Sequence, residues 1–358
     1  MKTLRFINKD RSSFASVLRK NVHDHFKAHG ISTQGNWTVH VKLIVMLGML
    51  LVPFVLLLAL PVGGWLIFPF AVLMGIGMSG LGMSVMHDGA HGSVSKKAWV
   101  NKMMSYTIYL LGSNLFTWKV QHNVLHHTFT NIDGYDEDIS PRGVIRLSKG
   151  TPLKKMHRFQ YLYAPLFYGL MTLAKIVNDF RQMRRYNKNG ITRQQNAKPA
   201  WEFTKMLGLK AVYFFAVIGL PLMLTSLALW QVMLVFLIMH FTAGLLMSSI
   251  FQMAHIVEGA EQHLPAHDGN MENEWAIHQL QTTANFSRNN HFLSWFAGGL
   301  NFQIEHHLFP HICHIHYRGI SPIVERTAAE FGLVYNLKPS FRSALLSHLR
   351  TLKRLGRR

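Results

Sequence analysis

Two long stretches of the chain carry no charged residue. From Leu43 to His87 there is no Asp, Glu, Lys or Arg in 45 residues, and from Ala211 to Val257 there is none in 47. A helix needs about 20 apolar residues to cross a bilayer, so each block holds two spans and a tight turn. In the first block the turn signal is Pro61-Val62-Gly63-Gly64. In the second it falls between Leu227 and Gln231, where Trp230 suits the membrane interface. The pattern predicts an all-α membrane protein in a single domain over 1–358, with four transmembrane helices at 41–60, 65–87, 208–228 and 231–256. Paired as two hairpins, these leave residues 1–40, 88–207 and 257–358 on one side of the membrane.

Charge selects the side. The chain has 37 Lys and Arg against 17 Asp and Glu, a net charge of +20. None of the basic residues lies in either turn. The positive-inside rule therefore predicts cytoplasmic termini, with the 88–207 and 257–358 segments forming a cytoplasmic helical cap. Two further uncharged stretches, Met103 to Trp118 and Phe159 to Ala174, are only 16 residues each. They read as helices lying in the interface, the second leading into the basic edge Arg181, Arg184, Arg185 and Lys188. The basic C-terminus (Arg350, Lys353, Arg354, Arg357, Arg358) reads as a membrane-surface helix.

Composition agrees. The chain is 49% hydrophobic and 15% charged, where an ordinary soluble protein has about 25% charged residues. The single cysteine, Cys313, permits no intramolecular disulfide and suits a reducing compartment. The first 40 residues hold no short apolar core with a cleavage site, so no signal peptide is expected. Nothing calls for a nucleic-acid partner.

The candidate chemistry is histidine. His87-Asp-Gly-Ala-His91 leaves the second span, with its imidazoles four residues apart on one helix face. His122-Asn123-Val-Leu-His126-His127 repeats that spacing and adds a neighbour. Gln303-Ile-Glu305-His306-His307 supplies an adjacent pair, whose side chains diverge by about 100° on a helix and can serve two ions. His255 ends the fourth span. The predicted topology brings all four elements to one depth. Eight imidazoles (His87, His91, His122, His126, His127, His255, His306 and His307) exceed what one ion holds with a position left open. Neutral imidazole suits iron, and eight of them with few carboxylates point to two metal ions. Gln303, Asp88, Asn123, Glu305 and the run Asp133, Asp136, Glu137, Asp138 are candidates to orient the rings through hydrogen bonds.

These boxes resemble those of the membrane fatty acid desaturase family. His87-Asp-x-x-His91 matches the first box. Trp118-x3-His122-Asn123-x2-His126-His127-x2-Thr130-Asn131 matches the second. Gln303-x2-His306-His307 matches the third in its glutamine variant, which is similar to front-end, linoleoyl-CoA-desaturase-like members. The resemblance covers roughly 43–320. It implies four transmembrane helices under a cytoplasmic cap, a non-haem centre of two iron ions and a long acyl tunnel. The implied reaction consumes O2 and places a double bond in a long-chain acyl substrate, a CoA thioester or a lipid. No His-Pro-Gly-Gly haem motif of a fused cytochrome b5 is present, so an external electron donor of ferredoxin or cytochrome b5 type is expected. The rival readings are a hydroxylase or alkane-type oxygenase of the same family, and a metal-handling or haem membrane protein.

The other histidines are assigned lesser roles. His240 lies inside the fourth span and reads equally as functional or as neutral and hydrogen-bonded. His278 and His291 read first as structural, with a place on the substrate path as the alternative. His311, His314 and His316 follow the third box and are read as supporting residues or headgroup contacts rather than ligands. His23, His25 and His29 read as solvated, and His157, His263, His267 and His348 as surface residues.

Overall fold

The structure, a computed structural model, describes residues 4–9, 11–61, 64–139, 143–264 and 270–357. Val62 and Gly63 of the first turn, His267 and Arg358 lie outside them. The described chain is helical, with two small parallel strand pairs, Arg5–Phe6 beside Asn270–Met271 and Asn285–Phe286 beside Leu337–Lys338. Among the described residues, four helices are long and apolar enough to cross a membrane: α2 (Trp37–Ala59), α3 (Gly64–His91), α8 (Pro199–Leu224) and α9 (Leu229–His255). α2 starts at Asn36, whose side chain accepts the Thr38 backbone N–H at 3.0 Å. The third long helix starts at Pro199, nine residues ahead of the expected 208, because proline at the first turn costs no hydrogen bond. It also ends early. Helix stops at Leu224 and resumes at Leu229, because Thr225 turns back on Pro221 O at 2.7 Å.

α3 lies between α2 and α9, and glycine makes this possible at two points. A Cβ on Gly75 would lie 2.6 Å from Met239 O, and one on Gly77 would lie 2.7 Å from Leu50 N. The resulting core holds Met46, Leu50, Met74, Met78, Phe236 and Met239. Burying each such side chain contributes about 1.5–3 kcal/mol in water; within lipid, close packing has to supply more of the association.

The two intermediate apolar stretches are not single helices. Met103 to Trp118 is divided among α4 (Ala98–Tyr106), a 3-10 turn over Thr107–Leu111, and the start of α5 (115–129). The break comes at Gly112, left-handed at φ 69°, and at Asn114, whose side chain caps Thr117 N. Phe159 to Ala174 is divided between α6 (Gln160–Gly169) and α7 (Met171–Lys188).

The polar segments pack closely. α1 (Phe14–His29) buries Phe14, Leu18, Val22 and Phe26 against Ile320, Val324 and Ala328 of the later helix Tyr317–Glu330. Residues 14–29 are thus an integral part of the fold. The C-terminal basic stretch is helical over Phe341–Leu355 and buries Ala344, His348 and Leu352. His348 is therefore no surface residue. Its Nδ1 donates to Ile256 O at 2.7 Å and its Nε2 accepts from the Tyr168 hydroxyl at 2.8 Å. His157 is also buried and reaches Gly143 O at 3.1 Å. Both departures have one cause, the docking of the C-terminal helix on α6 and α9.

Candidate metal centre

Three more short helices complete the site: α10 (Trp275–Thr282), α11 (His291–Phe296) and α12 (Gln303–Leu308). The later helices Tyr317–Glu330 and Phe341–Leu355 are α13 and α14. Two departures from α-helix geometry prepare the first two boxes. A π-helical turn, Leu81–Met86, runs directly into His87–His91, and a second, Val120–His126, holds His122 and His126 of the second box, with His127 directly after it. A π turn adds a residue per turn and re-aims the side chains that follow. In α5 it carries the i,i+4 pair, whose rings stack at 5.2 Å between centroids with Asp138 beside both. His122 also meets His87, His91 and His306, and His126 also meets His255 and His307.

The first group is His87, His91, His122 and His306, with one ring nitrogen of each within 4.8 Å of the others. His87 Nε2 lies 3.0 Å from His122 Nε2. Trp118 stacks on His122 at 4.5 Å between centroids. The second group, His126, His255 and His307, meets the same distance criterion. His127 lies between them, 3.3 Å from His122 Nε2 and stacked on His307 at 4.4 Å. The adjacent pair of the third box thus divides, with His306 in the first group and His307 in the second. All eight rings come together, although they come from α3, α5, α9 and α12.

The rings are suited to hold metal. Burial, followed by the proximity of other imidazoles, pushes His122, His127, His306 and His307 well below the ordinary histidine range, so they are neutral and can ligate. Burial also opposes the charge on His126, but Asp136 outweighs it and raises the group. Burial pushes Asp138 up to about 6. Six of the eight histidines present a buried ring nitrogen with no hydrogen-bond partner: His91, His126, His127, His255, His306 and His307. Buried polar atoms are seldom left unpaired, and six on clustered histidine rings fit a bound metal pair. The site fits a two-ion histidine centre.

The far side of several rings is held by hydrogen bonds. Asp136 Oδ2 accepts from His126 Nδ1 at 3.0 Å, and Gln279 Oε1 from His307 Nδ1 at 2.7 Å. His306 Nδ1 faces the Tyr317 hydroxyl at 3.2 Å, and Gln303 Nε2 lies 2.9 Å from His255 Nε2. Asn123 acts through the backbone, donating to Ala90 O at 3.0 Å. Two expected partners face elsewhere. Glu305 accepts from Tyr335 and Asn285, and Asp88 from Cys313 at 3.0 Å and His314 at 2.6 Å. Their position beside a ligand in sequence turns them away from it, by the same 100° step that divides His306 from His307. Of the acidic run, Asp133 bonds Ser148 and Glu137 pairs with Arg185, while Asp136 makes a short bond to His126 and Asp138 lies 3.6 Å from the same ring nitrogen.

Several contributors carried no signal in the sequence. Lys42, inside α2 and buried, places its ammonium 2.6 Å from His314 Nε2, completing a chain from Lys42 through His314 to Asp88. Gln279 and Tyr317 stand outside every box. Trp275 Nε1 donates to His127 O at 3.1 Å. The remaining histidines are structural or peripheral. His240 is bonded by the Tyr213 hydroxyl at 2.6 Å and Thr172 at 3.0 Å, and His278 reaches Thr130 O at 2.8 Å. His25 is half-buried against His29, His23 is exposed and His263 is half-buried. His311 is exposed, and His316 reaches Gln34 O at 2.9 Å.

Comparison with known proteins bears on this site. The family described as "Fatty acid desaturase" matches residues 63–339. The chain is 33% identical to the sn-1 linoleoyl-lipid 6-desaturase of Synechocystis sp., over 97% of this chain and 96% of that protein. It is 32% identical to the enzyme of the same name from Arthrospira platensis, over 96% and 92%. It is also 32% identical to an acyl-lipid (8-3)-desaturase of Physcomitrium patens, over 99% of this chain and 74% of that longer protein.

Proposed function

The chain belongs to the fatty acid desaturase family and is a membrane acyl desaturase, and we propose that its two histidine groups each hold one non-haem iron ion and act on the acyl chain of a membrane lipid. The observation that carries this reading is the set of eight clustered histidine rings, six of which carry a buried ring nitrogen without a hydrogen-bond partner. His87, His91, His122 and His306 would hold one ion, and His126, His255 and His307 the other, with His127 between them. Iron bound there would supply the activation of O2 that attack on an unactivated C–H bond requires. The overall reaction removes two hydrogens from adjacent methylenes and reduces O2 to two waters. It draws two electrons and two protons from outside.

The chain's own residues do the positioning. Asp136, Gln279 and Tyr317 fix ring orientation, which raises ligand basicity and sets the tautomer. Trp118 walls the first group on one side. The buried setting keeps bulk water from the reacting chain.

Topology follows from charge. The 60–63 and 225–228 links carry no Lys or Arg, which supports two hairpins with the site on the cytoplasmic face. Ser95→Cys and Lys149→Cys would then be protected from an impermeant thiol reagent added outside. The electron donor is a separate one-electron carrier of ferredoxin or cytochrome b5 type. Because the net charge is +20, an acidic donor would be steered to the protein, and its apparent affinity falls as salt shortens the Debye length to about 8 Å. Salt-independent turnover in neutral detergent would overturn that docking.

The similarity to linoleoyl-lipid 6-desaturases supports a new bond on the carboxyl side of existing ones. Lipid analysis of a host expressing the chain tests the whole reading. A linoleoyl lipid gaining a bond at position 6 supports it, and a hydroxylated product in its place makes the chain a hydroxylase.

A further inference from the structure

Helix α11, His291–Phe296, is short and has no buried residue. Phe292 is 74% exposed and Trp295 38%. The helix lies where the spans end. Trp295 is the ring over which the Lys42 ammonium of α2 sits, 5.5 Å from its centroid. On its C-terminal side Gly298 is so close to α3 that a Cβ there would lie 2.5 Å from Met83 O, one turn before His87. Gly298 and Gly299 are both left-handed, at φ 60° and 71°, and Gln303 of the third box follows within four residues. An uncovered aromatic helix is thus seated against the spans beside the metal centre.

A cation stands at its first residue. Arg318 Nη1 donates to His291 Nε2 at 3.1 Å, and its guanidinium lies over the Phe302 ring at 5.9 Å. Arg318 Nη2 is buried and has no partner. Neighbouring Arg288 is paired with Glu325 at 2.5 Å, whereas no carboxylate pairs with Arg318 among the described residues. A half-buried arginine without a carboxylate partner, beside an exposed apolar face, suits a ligand that is anionic at one end and aliphatic at the other. A planar guanidinium favours phosphate.

We propose that α11 is the lateral mouth of the active site, where an acyl phospholipid enters from the bilayer with Phe292 and Trp295 against its chain and Arg318 on its headgroup phosphate. This rests on the acyl-lipid reading above and specifies how such a substrate arrives. A bilayer lipid is favoured over a soluble acyl thioester because the apolar face next to the cation is open rather than enclosed. The site also reports to the first histidine pair. Trp295 covers Lys42, and Lys42 is bonded through His314 to Asp88, next to His87.

Two measurements test this without turnover. Cys313 is buried, so a spin label on Phe292→Cys reports depth in nanodiscs made of phosphatidylglycerol and phosphatidylcholine. The label should be relaxed by O2 and shielded from an aqueous nickel chelate. A label open to the chelate overturns the mouth. Retention of phosphatidylglycerol, followed by native mass spectrometry, should fall about tenfold in Arg318→Gln, the range of one charge-assisted hydrogen bond. It should fall less in Arg318→Lys, which keeps the charge and also serves if the glutamine variant inserts poorly. Unchanged retention in both overturns the headgroup site. Soluble acyl-CoA distinguishes the source of the phosphate. If Arg318→Gln weakens acyl-CoA binding and leaves the phospholipid untouched, the lipid assignment is wrong. If these results hold while the wild-type chain forms no double bond in any lipid, the desaturase reading fails and the lipid mouth stands.

Discussion

The two histidine groups are held in place by different means. In the group of His126, His255 and His307 the rings are gripped directly: Asp136 at 3.0 Å, Gln279 at 2.7 Å and Gln303 at 2.9 Å. In the group of His87, His91, His122 and His306 the direct contacts are weaker. They are the Tyr317 hydroxyl at 3.2 Å, an Asp138 oxygen 3.8 Å from His122 Nδ1 and the Trp118 face. That group is braced through the backbone of the helix that carries it. Asn123 ties Ala90 O, and Lys42 with His314 ties Asp88. A site can therefore be preorganised from the ring side or from the chain side, and the two should respond differently to mutation.

The largest effects are expected at the proposed ligands. His306→Ala and His307→Ala should each abolish desaturation while the protein still inserts, and each should lower bound iron from roughly two ions per chain towards roughly one. Metal analysis of purified protein checks this. Full activity in His307→Ala would sink the metal assignment. Next comes Asp136→Asn, which keeps the shape but removes the charge behind His126. Loss of a partner of this kind costs about 10–100-fold in metal affinity. The loss should concern one ion of the two, read as a biphasic chelation curve. A monophasic curve would mean that the two groups do not behave as separate sites.

Much of this was legible in the chain, because the signals were local. Uncharged blocks announced the spans, and the spacing of eight histidines announced a shared centre. What stayed hidden depended on contacts distant in sequence or on helix irregularity. No residue pattern marks the π turn that carries His122 and His126. Asp133, Asp136, Glu137 and Asp138 look alike in sequence, and only the fold turns Asp136 onto His126. Lys42 reads as the charged start of an apolar span, but His314 lies 272 residues away. The assignment of His348 to the surface failed because a basic helix can still bury its other face, here against α6 and α9.

Lys42 provides the test of the brace. Lys42→Met leaves Asp88 and His314 buried without their cation, and breaking a buried charged network destabilises by about 3–5 kcal/mol. The expected result is a lower melting temperature and about a tenfold loss of iron from the first group only. Lys42→Met/Asp88→Asn removes both charges and should regain part of the stability. If the double variant is no better than Lys42→Met, charge compensation is not what the lysine provides.

The smallest effect is expected at Tyr317, and it decides whether the first group needs any grip on its rings. Burial holds the phenol well above its ordinary range, so it stays protonated and neutral. With Nε2 of His306 left to hold a metal, Nδ1 would carry the proton and donate to the phenol oxygen. A neutral hydrogen bond of this kind contributes about 0.5–1.5 kcal/mol, and charged partners contribute more. Tyr317→Phe keeps the ring in its packed position and removes only the oxygen. If the backbone brace governs this group, turnover and iron content should fall less than about threefold, well short of Asp136→Asn. Parallel chelation of the two variants makes the comparison. A loss in Tyr317→Phe equal to that in Asp136→Asn would show that His306 depends on its hydroxyl as fully as His126 depends on its carboxylate, and the contrast between the two groups would be gone.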